Sequence, residues 1–134
     1  THWEFQRKLR HFVDKEILPY VTKWDEDEKY PDILRLKAYK AGIYGALWPK
    51  KYGGTPPREF DHFHSLIFHD ELARAGSGGL MASCFLPLGW GLLPVIKHKI
   101  KNTKVHDYVC RECISGNKTI CLAVTEPTGG SNVA

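Results

Sequence analysis

The sequence predicts a mostly α-helical domain that is followed by a single β-strand. Apolar side chains recur every three or four residues through the first half, and glycine or proline separates the helical stretches. A short run near the end is instead rich in β-branched residues, which favours a strand. With 134 residues, 43% of them hydrophobic, the chain is not globally disordered. We predict an all-α domain over residues 1–116 and the truncated start of a β-domain over residues 117–134.

The first predicted helix carries its apolar residues on one face, which is typical of an amphipathic helix. These residues are Leu9, Phe12, Val13, Ile17, Tyr20 and Trp24. Pro19 lies inside this stripe and is expected to kink or divide the helix, because proline has no backbone N–H to donate. An acidic break follows at residues 25–28.

Two further helices follow, separated by an irregular segment that is rich in glycine and proline. One begins at residues 31–32, where proline and an acid suit a helix start, and ends at Gly42. The next runs from about Glu59 to Arg74 and ends near Gly76. Its expected buried face is Phe60, Phe63, Leu66, Ile67 and Leu72.

Residues 75–96 form an uncharged stretch that is long enough to span a bilayer. Five glycines and two prolines lie within it, and these residues break a helix into short pieces. We therefore predict two short buried helices and no membrane span. A last helix is expected after Asn102, a good N-cap.

Residues 118–125 have the composition of a strand, because they include threonine, isoleucine and valine in a short run. A lone strand leaves its backbone groups unpaired. Either it pairs across an oligomer, or the sequence is the front part of a longer protein with more strands. We favour the longer protein.

The loop after this strand is the strongest candidate site. It contains two glycines, a proline and three hydroxyl-bearing residues within residues 125–131. Glycines let the backbone approach a ligand closely, and consecutive N–H groups bind anions. The loop therefore suits a phosphorylated cofactor, with Thr125 and Ser131 as hydrogen-bonding groups. An ordinary surface turn is the alternative.

Charge and cysteine content exclude several function classes. The net charge of +4, from 19 basic and 15 acidic residues, is too small to indicate a nucleic-acid partner. The basic excess lies mainly in Lys97, Lys99, Lys101 and Lys104, which we interpret as a solvated helix end. Four cysteines do not make a disulfide scaffold, and no export signal is visible, so an intracellular location is expected.

No metal site is predicted from the sequence. Cys110 and Cys113 are neighbours on one helix, but no second pair completes the four ligands of a zinc site. We expect them to be packing or exposed thiols. His62 and His69 share a helix face from which His64 points away, so a three-histidine site is not expected.

Five segments occur in an order and spacing that resemble the acyl-CoA dehydrogenase family, over almost the whole chain. They correspond to the family's N-terminal helical domain and the first strand of its middle β-domain. The segments are residues 30–31 (YP), 41–42 (AG), 47–54 (LWPKKYGG), 70–74 (DELAR) and 123–131 (AVTEPTGGS).

The resemblance implies that FAD lies against the strand and loop. The Thr125 position bonds the flavin near its reactive nitrogen, and the Ser131 position reaches the pyrophosphate and the acyl-CoA ligand. Thr128 and Asn132 depart from the family's usual glycine and aspartate. The implied cofactor-binding residues are Leu122, Ala123, Val124, Thr125, Glu126, Pro127, Thr128, Gly129, Gly130 and Ser131.

The resemblance also implies the reaction, which is α,β-dehydrogenation of an acyl-CoA thioester with electron-transfer flavoprotein as acceptor. Helices around residues 80–91 would line the acyl pocket, with Phe85 shortening or redirecting it. The catalytic carboxylate belongs to a C-terminal domain absent from this chain, so these residues alone are expected to be inactive. A homo-oligomer is expected, in the mitochondrial matrix of a eukaryote or the cytoplasm of a bacterium.

Two alternatives remain open at this point. A related acyl-CoA oxidase, decarboxylating dehydrogenase or flavin monooxygenase would share the same N-terminal part. A non-catalytic helical fragment or pseudoenzyme that binds a partner would share it as well.

Overall fold

The fold is organised around two helices, α1 (His2–Phe12) and α4 (His62–Ala73), which pack along each other. The computed structural model describes residues 1–98 and 101–131. Within these residues the fold is mostly helical, which confirms the predicted fold class. The α1 side of the interface buries Phe5, Leu9 and Phe12.

Pro19 divides the first predicted helix, as expected. Helix α1 continues into a π-helical turn over Val13–Ile17. The last bond of this turn runs from the Leu18 N–H to the Val13 carbonyl at 2.9 Å. Because Pro19 has no N–H, the helical ladder stops there, and α2 begins separately at Val21–Glu26.

Helix α3 (Ile33–Lys40) ends as the sequence predicts. Gly42 follows it with a φ of +64°, a left-handed conformation that glycine adopts without strain. The chain then turns through a short 3-10 helix, Lys50–Tyr52. The Tyr39 hydroxyl donates to the Gly53 carbonyl at 2.9 Å and ties this turn back to α3.

Helix α4 buries a different face from the one its apolar residues predict. The buried residues are His64, Phe68, Glu71 and Leu72. Of the predicted set, Leu72 is buried and Ile67 is half-buried, but Phe63 and Leu66 are 65% and 63% exposed, and Phe60 is exposed as well. The prediction was wrong here because two polar side chains, His64 and Glu71, have hydrogen-bond partners inside the fold.

Residues 78–97 follow one continuous helical path instead of the two separate helices that we predicted. Its parts are α5 (Gly78–Leu80), π-helical turns over Met81–Phe85 and Leu88–Leu92, and α6 (Leu93–Lys97). Wider turns let a helix pass an interruption in its ladder, and proline is one cause of such an interruption. This helical path is long and apolar enough to cross a membrane, judged by length and composition alone. Core helices of soluble proteins meet the same two criteria.

Helix α7 (Thr103–Ile114) packs against α6 and against the second π-helical turn. Its start is capped by Asn102, whose side-chain oxygen accepts the Val105 N–H at 3.2 Å. Gly116 follows the helix with a φ of +81°, and its carbonyl accepts a bond from the buried Arg35 at 3.4 Å. The proposed domain boundary at residue 116 stays a prediction.

The strand predicted over residues 118–125 does not form in this structure. The segment is irregular, and in the described part of the chain its residues join no β-ladder. The physical reason is that a strand needs a partner for its backbone groups, and the described residues supply none. The strand composition is present, but the neighbour that would pair with it is not.

Candidate functional site

The predicted cofactor loop lies on the surface. Residues 121–128 are exposed, with Leu122 and Val124 at 56% and 47%. A tight turn closes the loop, because the Glu126 N–H donates to the Gly129 carbonyl at 2.7 Å and the Gly129 N–H donates back at 3.2 Å. The turn holds residues 125–131 close together at one place.

Several hydrogen-bond donors of this loop remain available to a ligand. Among the described residues, the N–H groups of Thr125, Thr128 and Gly130 donate to no backbone carbonyl. Thr125 and Ser131 are both exposed, so their hydroxyls are accessible to a ligand. Backbone N–H groups and hydroxyls are the donors that bind phosphate oxygens and flavin heteroatoms. The donor set therefore fits one face of an FAD site.

Thr128 is compatible with the backbone of the loop. Among described non-glycine residues, only Glu28 and Glu59 have a positive φ, so Thr128 has no left-handed strain. A Cβ at Gly130 would lie 3.7 Å from the Thr125 methyl group, which is ordinary contact. The other departure from the family pattern, Asn132, lies outside the described residues.

The beginning of the loop segment is fixed to the helical path of residues 78–97. A Cβ at Gly91 would lie 3.0 Å from two side-chain carbons of Ile120 and 3.3 Å from the Cys121 carbonyl. Glycine therefore allows the segment to approach the π-helical turn closely. This contact brings the residues immediately before the predicted cofactor residues close to the helical path at Gly91.

Phe85 packs into the core of this chain. It is 5% exposed, and its ring lies against Phe68 at 6.4 Å, edge to face, and against Tyr44 at 6.0 Å. Burial raises the pKa of the neighbouring Cys84 thiol to about 12, which makes Cys84 a packing residue without nucleophilic character. The exposed residues of this turn are Ala82 and Ser83.

The cysteine and histidine candidates are also placed by the structure. Cys110 and Cys113 are buried free thiols, and burial raises the pKa of both. Their burial at 0% and 3% exposure agrees with packing roles. His62 and His69 are exposed while His64 is buried.

Two clusters were missed by the sequence analysis. One surrounds the buried Glu71, which accepts hydrogen bonds from Gln6, Arg10 and Arg74. The other joins His2 to the start of α4 and is described below. The only sequence signal for the first was the DELAR segment, which contains Glu71 and Arg74.

Comparison with known proteins decides the family. A family model described as "Acyl-CoA dehydrogenase, N-terminal domain" matches residues 1–98. The chain belongs to the acyl-CoA dehydrogenase family. The match covers α1 to α6, so it includes the helices predicted to line the acyl pocket and ends before the cofactor loop.

Individual acyl-CoA dehydrogenase relatives extend the similarity to the whole chain. Acyl-CoA dehydrogenase AFT10-1 of Alternaria alternata is 31% identical over 100% of this chain and 33% of the relative. A 3-(aryl)acrylate reductase of Clostridium sporogenes is 28% identical over 96% of the chain and 33% of the relative. The crystal structure of a probable acyl CoA dehydrogenase from Mycobacterium abscessus superposes with a TM-score of 0.81 at 30% identity, over 98% of this chain and 34% of that one.

The chain therefore spans about a third of the length of these acyl-CoA dehydrogenase relatives. Family membership confirms the predicted fold of the N-terminal helical domain. The roles of Leu122 to Ser131 in cofactor binding, and of Ser131 in substrate binding, stay predictions.

Proposed function

We propose that this chain is the N-terminal portion of an FAD-dependent dehydrogenase that introduces an α,β double bond into an acyl-CoA thioester. Family membership supports the proposal. The observation that carries it is the exposed turn at residues 125–131, in which the N–H groups of Thr125, Thr128 and Gly130 donate to no backbone carbonyl of the described residues. The residues just before the predicted cofactor segment, Ile120 and Cys121, lie against the helical path at Gly91. This contact supports the proposal that the predicted cofactor segment starts close to the predicted acyl-pocket helices.

The residues of this chain would bind and orient the cofactor. The Thr125 hydroxyl would donate to the flavin, and the N–H groups of Thr128 and Gly130 would face its polar edge or phosphates. Ser131 would contact the pyrophosphate and the acyl-CoA. When bound, FAD supplies the hydride acceptor of the reaction.

The general base of the proposed reaction lies outside this chain. A base must reach the proton that it removes within hydrogen-bond distance, and the buried Glu71 is held by three neighbouring side chains. We therefore propose that the residues 1–134 alone are inactive. For the full-length enzyme we propose a homo-oligomer that passes electrons to electron-transfer flavoprotein, in a mitochondrial matrix or a bacterial cytoplasm.

The experiment that tests the reaction is product analysis with the full-length protein. It would be incubated with acyl-CoA thioesters of different chain lengths and an artificial electron acceptor, and the thioesters would be analysed by mass spectrometry. We expect loss of two hydrogens and an α,β double bond in at least one thioester. A purified protein that contains FAD and converts none of them contradicts the proposal.

Reduction is a second candidate reaction, because one relative bears the name 3-(aryl)acrylate reductase. The same assay run with an α,β-unsaturated substrate and a reduced dye distinguishes the two directions. Faster conversion of the unsaturated substrate than of any saturated thioester would favour the reductase.

Thr125→Ala is expected to slow flavin reduction by about tenfold while leaving FAD content nearly unchanged. A single hydrogen bond near the reactive nitrogen stabilises charge that develops there, which affects the rate more than retention. Rapid-mixing absorbance measures the rate. Thr119→Ala is the matched control, since Thr119 is exposed on the same segment outside the predicted site. Equal reduction rates for Thr125→Ala and Thr119→Ala would contradict the assigned role.

A further inference from the structure

Three potential metal ligands meet where α1 begins and α4 begins. His2 comes from the first turn of α1, Asp61 caps α4, and His64 lies in its first turn. The Asp61 carboxylate oxygen Oδ1 is 2.9 Å from His2 Nε2 and 2.8 Å from His64 Nδ1. One ligand atom from each residue lies within 4.8 Å of the other two. Fifty-nine residues separate His2 from Asp61, so the cluster is built by the tertiary fold.

Neither tautomer of the His64 imidazole lets every polar atom around it form a hydrogen bond. Its Nδ1 lies 3.2 Å from the Asp61 backbone N–H, which must donate, and 2.8 Å from Asp61 Oδ1, which must accept. One ring nitrogen cannot accept a bond and donate a bond at the same time. The imidazole is fully buried, and its other nitrogen, Nε2, has no partner among the described residues. Either tautomer leaves a polar group of this site unpaired.

We propose that His2, Asp61 and His64 bind a Zn²⁺ ion. Imidazole nitrogen and carboxylate oxygen are zinc ligands, and three protein ligands with one water give the usual tetrahedral set. The ion would take the Nδ1 lone pair of His64 in place of the Asp61 backbone N–H, and the ring proton would then be on Nε2. Asp61 would keep accepting the His64 backbone N–H.

The site is accessible and needs only a small adjustment to hold the ion. The side chains of His2 and Asp61 are 41% and 46% exposed, so an ion can enter and keep a water ligand. Zinc at about 2.0–2.1 Å from each ligand places the ligand atoms roughly 3.3 Å apart. The distances from Asp61 Oδ1 to His2 Nε2 and to His64 Nδ1 are about half an ångström shorter. The exposed side chains of His2 and Asp61 can supply that movement. The bound ion would cross-link the start of α1 to the start of α4.

The site is separate from the proposed reaction, since none of its residues lies in the predicted cofactor loop. Its role would be structural, and its failure would leave the proposed dehydrogenation untouched. Asp70 and the buried Glu71 lie two turns further along α4, where Gln6, Arg10 and Arg74 hold the Glu71 carboxylate away from the cluster.

Metal titration of the chelator-stripped full-length protein tests the proposal. Zn²⁺ binding is followed by calorimetry, and Co²⁺ binding by its visible absorption. We expect Asp61→Asn to bind one ion fewer than the wild type, or to bind that ion about tenfold or more weakly. Even removal of a group that only supports a metal ligand typically weakens metal binding by that factor. Asparagine caps a helix as well as aspartate does, so this variant keeps the fold. His2→Gln is expected to lose the same ion.

The matched controls are His62→Gln and His69→Gln, which remove exposed histidines of the same helix. We expect both to bind the metals as the wild type does, with a Co²⁺ spectrum of four-coordinate type. The proposal is overturned if wild type and Asp61→Asn bind the same number of ions with the same affinity. It is also overturned if the controls lose as much binding as His2→Gln.

Discussion

Replacing Glu71 with glutamine is expected to lower the free energy of unfolding by about 2–3 kcal/mol. The Glu71 carboxylate is completely buried between α1 and α4. It accepts hydrogen bonds from Gln6 at 2.8 Å, from Arg10 at 2.7 and 3.1 Å, and from Arg74 at 3.1 Å. Glutamine keeps the shape of the side chain but removes the negative charge that pairs with the guanidinium groups of Arg10 and Arg74. Its amide N–H groups would also face the N–H donors that now bond the carboxylate.

The same carboxyl makes stability depend on pH. Burial by itself would raise the pKa of Glu71, but the hydrogen bonds from Arg10 and Gln6 and the charge of Arg10 lower it below its ordinary value. The folded-state pKa is thus lower than the unfolded one, near 4.3. Its contribution to stability is present above about pH 4.3 and is lost as the pH falls through the folded-state pKa.

Denaturant unfolding of the full-length protein at several pH values measures both effects. Asp70→Asn is the matched control, because Asp70 is the adjacent acid and is exposed. We expect Asp70→Asn to resemble the wild type, and Glu71→Gln to lose part of the decline in stability at acidic pH. If the two variants have equal stability at pH 7, the buried cluster does not hold α1 on α4.

Gly54→Ala is expected to destabilise the protein by about 3 kcal/mol, at the upper end of the usual cost of overpacking. A Cβ at Gly54 would overlap the carbonyl oxygen and carbon of Trp48 and would lie 2.9 Å from the Pro49 carbonyl oxygen. These are backbone atoms, so no side-chain rotation relieves the clash. The turn that follows Trp48, a residue only 9% exposed, would have to open.

Gly89→Ala is the matched control for this substitution. A Cβ there meets no atom within 4 Å, and Gly89 lies in the π-helical turn Leu88–Leu92. Alanine in a helix is favoured over glycine by roughly 0.5–1 kcal/mol, so this variant is expected to be as stable as the wild type or slightly more stable. Thermal unfolding compares the two. A Gly54→Ala variant as stable as Gly89→Ala would contradict the close packing of the loop.

The helix pattern could be predicted from sequence because it depends on local features. Pro19 stops a helix by lacking an N–H, and Gly42 and Asn102 mark helix ends through their own backbone and side chain. The buried face of α4 could not be predicted. His64 and Glu71 are buried because residues near the N-terminus of the chain, Phe5 and Arg10 among them, surround or bond them. Partners that are distant along the chain do not change the spacing of apolar residues in α4, so the sequence pattern does not reveal them.

The candidate site was predictable in composition but not in full geometry. The glycines and hydroxyls of residues 125–131 predict a ligand-binding turn. The structure forms a turn there through Glu126 and Gly129, and ligand binding by it stays a prediction. The strand before it does not form, because no described segment pairs with it. The contact between Gly91 and Ile120 had no sequence signal, because it joins two segments through shape alone.

Anaerobic titration of the full-length protein with acyl-CoA tests the central proposal most directly. The absorbance of the purified protein would be recorded before and after each addition. We predict a yellow protein whose flavin absorbance bleaches on addition of a suitable acyl-CoA thioester. A colourless protein that cannot be reconstituted with FAD, or a flavin that stays oxidised with every acyl-CoA tested, would contradict it.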